Sequence, residues 1–524
     1  MRGFRGFPNG IGMTPQHKGW PSSNFRRGFY GYPRNPIVDE TRDGKQAFLI
    51  IGDSMTGDTS SSTSVGPTTP AGTTYLWNGT GLTELTTADM NKAGPTNGTP
   101  WKKFALDYNA ATGKKCVFVH RGSAGSSYAS DSGPNNWSTT GSLYVPSVAD
   151  AKKCLSFLGL NRFKGIFVIL GANDGIGSIA LNLVEAAIVS LIDRLNSDFH
   201  SVPIYATTSG GQAGGAMNDR FYDIKYAQIQ TSINNDNVHT GINLAPFFDW
   251  GLLAADQRHQ AQSGNNKIGE MWCRYMLSNE PDKVIRQVQN SFFNDLSVNN
   301  KNAVKDFVNG CIADGNWSSL DSFQWYYPSA VEDKVIDWTL LTGAIRRGNV
   351  TGGGSNFLKT DGVAGTDIDT NFAATFARLA TQNDIILGVR TGVVTTAVGT
   401  GFHLHSSGSN NILRSTTSNT VIYQLNNSSS DTWTGGDTQF QNNTDYARDR
   451  TSSTAFHLFK NGTQVDTGSQ ASNTPDFLTL RIGSNASNAL PGETEAIYHF
   501  CARRSTFNYS AFLAREATLR ASWV

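Results

Sequence analysis

The stretch FLIIGDSMTGDTS, Phe48 to Ser60, decides the fold. Its first four residues are apolar, and they lead directly into Gly52-Asp53-Ser54 and then into small polar residues. Consecutive apolar residues indicate a strand that is buried on both faces, as in a parallel sheet. Because ligands bind beyond the carboxyl ends of such strands, Ser54 is either the start of an ordinary loop or a nucleophile presented at the edge of a sheet.

Similar apolar runs recur along the first half of the chain. They predict strands at AFLII (47–51), CVFVH (116–120), GIFVIL (165–170) and VPIYATT (202–208). Between the last two, apolar residues recur at steps of three, one and four, which is one face of a helix. This order of strand, helix and strand predicts an α/β domain over residues 45–285, with a buried, mostly parallel sheet covered by helices.

The pattern changes in the second half of the chain. Residues 286–335 are predicted to be a helical connector without a strand. From 336 to 524, short alternating runs separated by polar, glycine-containing segments predict a C-terminal all-β sandwich. Within it, Lys460-Asn461-Gly462-Thr463 is the signature of a two-residue hairpin, and SAFLAREATLRASW near the end predicts a helix.

Composition narrows the classes of function. The 524 residues include 43 Lys and Arg against 42 Asp and Glu, a balance that argues against a nucleic-acid binder. We find no run of 18 apolar residues and no signal-peptide pattern, and therefore expect no membrane span. Five scattered cysteines without a CxxC pair favour buried, reduced thiols in a protein made in a cytosol.

Residues 1–44 are predicted to be a basic, aromatic arm. Its first 38 residues contain six basic side chains and no acid, with aromatic residues interleaved. A segment of this kind cannot bury a core of its own. An arm that docks on a partner protein is the favoured interpretation, because the aromatic side chains need a surface to cover; nucleic-acid binding and simple disorder are the alternatives.

The loops that follow the predicted strands carry the parts of a serine hydrolase. A serine hydroxyl needs a base to remove its proton and donors to stabilise the oxyanion. Gly125, after the second strand, can bring a backbone N–H close to a ligand, and Asn173 can offer its side-chain amide, with Asp174 bracing the loop. Asp256 and His259 are three residues apart, so that the carboxylate can orient the imidazole.

A second DxxH, Asp236 to His239, competes for the role of base. It precedes GINLAPFFDW, which is typical of a later strand and loop, and it lacks the glycine-spaced helix start that follows His259. His259 is therefore the preferred base.

Taken together, these four blocks resemble those of the SGNH, or GDSL-type, hydrolase superfamily, over roughly residues 45 to 285. The blocks are Gly52-Asp53-Ser54, Gly125, Gly171-x-Asn173-Asp174 and Asp256-x-x-His259. The resemblance implies a flavodoxin-like three-layer fold, a Ser54–His259–Asp256 triad, and an oxyanion hole formed by the N–H groups of Ser54 and Gly125 and by Asn173. It implies a structural role for Asp53, and it implies no metal and no cofactor.

The surrounding segments are similar to the carbohydrate acetylesterases related to sialate O-acetylesterases. That branch commonly has Gln beside the nucleophile, where this chain has Asp53, and Gln-Gly-Glu before the third-block Asp, where this chain has Gly171-Ala172-Asn173. The connector and the second half resemble phage tail and receptor-binding proteins, in which a concanavalin-like or laminin-G-like jelly roll follows.

The combination predicts a homo-oligomeric, virion-attached serine esterase, made in the host cytoplasm, that removes O-acyl groups from a cell-surface polysaccharide. Residues 1–38 would contact other virion proteins. Two alternatives are a non-catalytic receptor-binding or structural protein that uses the fold as a scaffold, and a cellular acylesterase or lipase with a carbohydrate-binding domain. The polar loops SSSTSVGPTTPAGTT and GSAGSSYASDSGPNNW favour a sugar substrate over a lipid.

Overall fold

The fold comes from a computed structural model, in which Glu40–Val524 forms one compact unit. The structure describes residues 44–57, 66–90, 98–129, 135–177, 179–208, 219–254, 259–328, 333, 336–339, 345–347, 358–360, 367–369, 379–394, 403–405, 411–415, 421–425, 431–433, 443–472, 481–483 and 494–524. The predicted arm (1–44, apart from its last residue) and Asp256 lie outside these residues.

The first half of the chain forms an α/β domain, as predicted. Its strands are β1 (Lys45–Gly52), β2 (Thr74–Trp77), β3 (Leu82–Glu84), β4 (Lys115–His120), β5 (Gly165–Ile169), β6 (Ile204–Thr208) and β7 (Val238–Asn243). Its helices are α1 (Trp101–Thr112), α2 (Tyr144–Leu158), α3 (Ala172–Ile176), α4 (Leu181–Phe199), α5 (Asp219–Asn234), α6 (Gln262–Leu277) and α7 (Lys283–Ser291). The four predicted strands and the predicted helix at 180–199 are confirmed.

β1 lies at the centre of this seven-stranded sheet, whose order is β3-β2-β4-β1-β5-β6-β7. It pairs in parallel with β4 on one side and β5 on the other, and only the β2–β3 pair is antiparallel. Because all its carboxyl ends except that of β3 lie at one edge, the loops after β1, β4 and β5 meet there.

The residues of β1 explain why helices cover both faces of the sheet. Phe48 and Ile50 point into one core and Ala47, Leu49 and Ile51 into the other, and all five side chains are buried. Phe48 packs edge-on against Phe104 of α1, with ring centroids 5.3 Å apart. A strand with apolar residues on both faces can be accommodated only between two layers of helices.

The segment predicted to be a helical connector contains a strand, so the expectation of helix alone was wrong. After α8 (Val298–Ala313), residues Leu320–Trp325 form β8 and pair with a C-terminal strand. Three of its six residues, Asp321, Ser322 and Gln324, are polar, and all three are fully buried. A strand with this many buried polar residues lacks the apolar run from which the other strands were predicted.

The rest of the chain forms an antiparallel β region, as predicted. Its strands are β9 (Ile345–Arg347), β10 (Leu358–Thr360), β11 (Asp367–Asp369), β12 (Ile385–Val394), β13 (His403–His405), β14 (Asn411–Ser415), β15 (Val421–Leu425), β16 (Asp431–Trp433), β17 (Asp445–Arg450), β18 (Phe456–Lys460), β19 (Thr463–Gly468), β20 (Arg481–Gly483) and β21 (Thr494–Ala502). One sheet has the order β10-β21-β12-β17-β18-β19 with β8 beside β21, and the other β16-β15-β14-β13-β20-β11-β9.

Two local predictions in this region are confirmed. Asn461 and Gly462 have φ of 47° and 79°, the backbone that a two-residue hairpin between β18 and β19 requires. The C-terminal residues Tyr509–Ser522 form α9, and the side chain of Asn508 caps its first turn by accepting a hydrogen bond from the N–H of Ala511 at 3.1 Å.

The described parts of the chain include no helix that is long and apolar enough to cross a membrane. All five cysteines are buried and unpaired.

Candidate active site

Ser54 is the first residue of a single 3-10 turn that follows β1 directly. The turn can start there because Gly52 has φ of +151° and lies against β5, where a Cβ atom would be 2.1 Å from the carbonyl oxygen of Ile169. Oδ1 of Asp53 accepts a hydrogen bond from the N–H of Met55 at 2.9 Å and so caps the turn. These constraints fix the position of the Ser54 hydroxyl at the edge of the sheet.

The imidazole of His259 lies against this hydroxyl. Its Nε2 is 2.8 Å from Oγ of Ser54, although the two residues are 205 positions apart in the chain. His259 precedes α6, and its carbonyl oxygen accepts a hydrogen bond from the N–H of Ala254 at 2.7 Å. A neutral imidazole at this distance can accept the hydroxyl proton.

The competing histidine, His239, has a different environment. It lies in β7, where its ring stacks on Tyr205 with centroids 5.3 Å apart. Burial, together with the positive charges of Arg286 and Lys283, lowers the pKa of His239 to about 4. Its ring is therefore a neutral part of the domain core, and the histidine beside the Ser54 hydroxyl is His259. Asp256, the carboxylate predicted to orient that histidine, lies outside the described residues.

The loop after β4 contains Gly125, whose φ is +71°, and it contacts Gly52, just before the nucleophile turn, through its serines. The next residue, Ser126, donates its hydroxyl to the carbonyl oxygen of Gly52 at 3.0 Å and accepts a hydrogen bond from Nε1 of Trp137 at 3.1 Å. Nδ2 of Asn173 donates to the carbonyl oxygen of Ser126 at 2.8 Å. One amide hydrogen of Asn173 thus holds the loop after β4.

The two supporting carboxyl groups of the prediction, Asp53 and Asp174, lie beneath these loops, and each residue is 1% exposed. Oδ2 of Asp174 accepts from the N–H of Tyr128 at 2.9 Å, and Oδ1 accepts from the N–H of Ala129 at 3.2 Å. Asp174 therefore braces the loop that carries Gly125.

Burial controls the ionisation of both carboxyl groups. It raises the pKa of Asp174 to about 6, although the N–H groups of Tyr128 and Ala129 and the charge of Arg220 oppose the shift. It raises the pKa of Asp53 to about 7; the negative charge of Asp174 adds to this shift, and the N–H of Met55 opposes it.

Sequence reasoning missed two residues that hold the nucleophile turn. The carbonyl oxygen of Thr56, the last residue of the turn, accepts hydrogen bonds from Nε1 of Trp101 at 2.9 Å and from Nε2 of His120 at 3.1 Å. Both side chains are buried. The position of His120 at the end of an apolar strand was a usable signal, whereas nothing local marks Trp101, which reaches the turn from α1.

Within the described residues, no group of three or more His, Cys, Asp or Glu side chains converges as metal ligands would. Around Ser54, the described residues place the imidazole of His259 beside the hydroxyl and the Asn173 amide on a neighbouring loop.

Comparison with known proteins gives likeness of structure only. No family model matches the chain, and no curated protein matches it. Among solved structures, the chain is similar to a protein from Arabidopsis thaliana, with 15% sequence identity and a TM-score of 0.33. It is also similar to NanS, with 13% identity and a TM-score of 0.33. Each of these two matches covers 45% of this chain and 98% of the other chain. A third similar structure is a lipase/acylhydrolase from Enterococcus faecalis, with 15% sequence identity and a TM-score of 0.26; the match covers 44% of this chain and 94% of the other. Similarities of this size assign no chemistry to this chain.

Proposed function

We propose that this protein is a serine esterase of the SGNH type. The observation that carries the proposal is the 2.8 Å approach of Nε2 of His259 to Oγ of Ser54 at the carboxyl edge of a parallel sheet. A hydroxyl paired with an imidazole, beside loops that offer N–H donors, is the arrangement that acyl transfer requires.

In the proposed reaction, Oγ of Ser54 attacks the ester carbonyl carbon while His259 accepts the hydroxyl proton. The N–H groups of Ser54 and Gly125 and the Asn173 amide stabilise the oxyanion; removing one such donor typically costs about 10²–10³ in rate. When the tetrahedral intermediate collapses, the alcohol leaves with the proton from His259 and the acyl group stays on Ser54. Water then attacks the acyl group, again losing a proton to His259, and the acid is released as Oγ of Ser54 takes that proton back from His259.

The proposed base needs an orienting group on its other ring nitrogen. By resemblance, that group is the Asp256 carboxylate, three residues before His259. An imidazole held in one tautomer presents an unprotonated Nε2 to the serine, which is why such a carboxylate is expected here.

The proposed substrate is an O-acyl, and more specifically O-acetyl, group on a cell-surface polysaccharide. The support is the polar composition of the loops that follow β1 and β4, where a lipase would present apolar side chains. An antiparallel β region in the same chain fits a protein that also holds a polysaccharide.

We also propose an oligomeric state and a location for the protein. It would be a homo-oligomer on a virion or phage tail, attached to other virion proteins through residues 1–38. This extension rests on the domain combination and on the basic, acid-free composition of that arm. The proposed domain limits are 45–285 for the hydrolase, 286–335 for the connector and 336–524 for the sandwich.

Hydrolysis of p-nitrophenyl acetate tests the proposed chemistry. We expect Ser54→Ala to reduce kcat/KM by about 10³-fold or more, because the nucleophile is lost. His259→Ala should cause a loss of similar size, and His239→Ala should retain activity as far as the core tolerates the change. A wild-type rate no higher than that of Ser54→Ala would exclude an esterase and favour a non-catalytic binding protein.

A second assay separates the substrate classes. Release of acetate from an O-acetylated polysaccharide, together with slow hydrolysis of long-chain p-nitrophenyl esters, is the expected outcome. Faster hydrolysis of the long-chain esters would favour a lipase.

A further inference from the structure

Asp53 lies next to the nucleophile and is buried in an unusual way. Its Oδ1 accepts a hydrogen bond from the N–H of Met55, whereas no donor among the described residues has good hydrogen-bond geometry to its buried Oδ2, and the nearby N–H groups of Ala172 and of Asp53 itself oppose the pKa shift only in part. An ionised carboxylate with one unsolvated, unpaired oxygen is costly to bury. A neutral carboxyl group at the same place costs much less, since it carries no net charge.

A second carboxyl group shares this buried space. Asp174 lies close enough for its charge to raise the pKa of Asp53, which burial and this charge bring to about 7. Asp174 is the partner that ionises more easily, because each of its two oxygens accepts a hydrogen bond from a backbone N–H and the positive charge of Arg220 lowers its pKa. Two carboxyl groups so placed release their protons in separate steps, and the first negative charge settles on Asp174.

We propose that Asp53 and Asp174 form a buried carboxyl pair that carries one proton, and that this proton, on Asp53, keeps a second negative charge away from the place where the oxyanion forms. Asp53 is then a positioning residue, since its Oδ1 caps the turn of Ser54 whether or not Oδ2 is protonated. Its protonation state also changes the electrostatic potential at the site. The inference rests on the proposed esterase function.

None of the other titratable or charged groups that we find around the pair adds a negative charge near the oxyanion. Tyr128 lies in the loop braced by Asp174, and burial raises its pKa far above neutrality, so it stays protonated. Arg220 of α5 donates a hydrogen bond through Nε to the carbonyl oxygen of Asp174 at 2.6 Å. His259 faces the hydroxyl of Ser54, and His120 faces the carbonyl oxygen of Thr56.

The pair should give the enzyme a falling alkaline limb. The limb follows from Asp53, whose pKa burial raises to about 7. Once Asp53 ionises, its negative charge opposes the oxyanion, and an interaction of this kind slows the reaction by roughly tenfold or more. An ordinary serine hydrolase site without this pair would reach a plateau instead.

The test is the pH profile of kcat/KM for p-nitrophenyl acetate between pH 5 and 9, corrected with Ser54→Ala at each pH. The wild type should fall about tenfold above neutral pH, whereas Asp53→Asn, which keeps the Oδ1 acceptor, should reach a plateau. Asp174→Asn should shift the falling limb to lower pH, because it removes the charge that holds the proton on Asp53. Asp306→Asn, an exposed carboxyl group on α8, is the matched control and should reproduce the wild-type profile.

A falling limb that persists unchanged in both Asp53→Asn and Asp174→Asn would overturn the inference and leave the esterase intact. A wild type no faster than Ser54→Ala would instead overturn the proposed function.

Unfolding gives a readout that does not depend on activity. Between pH 3.8 and about 7 the folded protein keeps a proton on Asp53 that the unfolded chain has released, so stability falls as pH rises through this window. In the Ser54→Ala background, Asp53→Asn should reduce that fall, of which Asp174, with a pKa of about 6, contributes only a part; the change in Tm between pH 5 and 8 measures it. An identical change in Tm with and without Asp53 would also overturn the inference.

Discussion

Gly122 shows how closely one residue can control the nucleophile turn. It follows β4, and a Cβ atom at this position would lie 1.8 Å from Oγ1 of Thr56 and 3.3 Å from Nε2 of His120. Real Cβ atoms do not approach other atoms so closely, so a larger side chain must displace the Thr56 hydroxyl or the turn itself. The same turn begins with Ser54, and a displacement of 1 Å at a reacting group can cost about 10² in rate.

We therefore predict that Gly122→Ala lowers kcat/KM for p-nitrophenyl acetate by about tenfold or more, while unfolding remains cooperative. The matched control is Gly81→Ala, where the added Cβ meets no atom within 4 Å. Equal activity in Gly122→Ala and Gly81→Ala would show that the turn tolerates displacement.

Single residues also show what the sequence could reveal about the site. Ser54 was found because it ends an apolar strand, and His259 because a carboxylate and glycines stand at set distances from it; both are local signals. The bond from Trp101 to Thr56 was not predictable, because a donor on α1 meets the turn only after the sheet and its helices have packed.

Secondary-structure elements were predicted as far as their residues carried a local pattern. β1, β4, β5 and β6 are apolar on both faces, and the hairpin between β18 and β19 is marked by Asn461-Gly462. β8 was missed because Asp321 is buried in it: its carboxylate accepts hydrogen bonds from the N–H groups of Leu379 and Ala380, the latter at 2.8 Å. Residues 58 and 59 positions away in the chain make that aspartate stable in a buried strand.

For the hairpin, we predict that Gly462→Ala lowers the free energy of unfolding by about 1 kcal/mol or more. Gly462 has φ of +79°, and its Cβ would also press on Cδ1 of Leu513 at 3.2 Å. Chemical denaturation measures the change, and esterase activity serves as the internal control because the hairpin belongs to the antiparallel region. An unchanged denaturation midpoint would contradict the strain argument.

Across the whole molecule, α5 joins the α/β domain to the antiparallel region. Tyr222 of α5 donates its hydroxyl to the carbonyl oxygen of Asp321 in β8 at 2.8 Å. Lys225, also fully buried, donates to Oδ1 of Asn243 at the end of β7 at 2.9 Å and lies within reach of the charge of Asp337. Such contacts between distant parts of the chain leave no sequence signal, so the sequence predicted the two regions but not how they meet.

The buried amine at this junction has a consequence for stability. Burial lowers the pKa of Lys225 from 10.5 to about 7, with the charge of Asp337 opposing the shift. Between these values the unfolded chain binds a proton that the folded protein lacks, so Lys225 makes stability rise as pH rises from 7 to 10.

We predict that Lys225→Met is more stable than the wild type at pH 7, by about 1 kcal/mol or more, and that the difference shrinks toward pH 10. Asn243 keeps a hydrogen bond from the N–H of Ala245 in the variant. Thermal unfolding at both pH values measures the difference. A variant that is less stable at pH 7 would show that the ammonium group stabilises the junction.

The proposed esterase function depends most on the pairing of Ser54 with His259, and covalent labelling tests this pairing most directly. A serine-directed fluorophosphonate should add one label to the wild-type protein, which peptide mass spectrometry should locate on Ser54. His259→Ala should react at least about 10²-fold more slowly, because the hydroxyl loses its base. Label on another serine, or equal labelling rates with and without the His259 imidazole, would contradict the account.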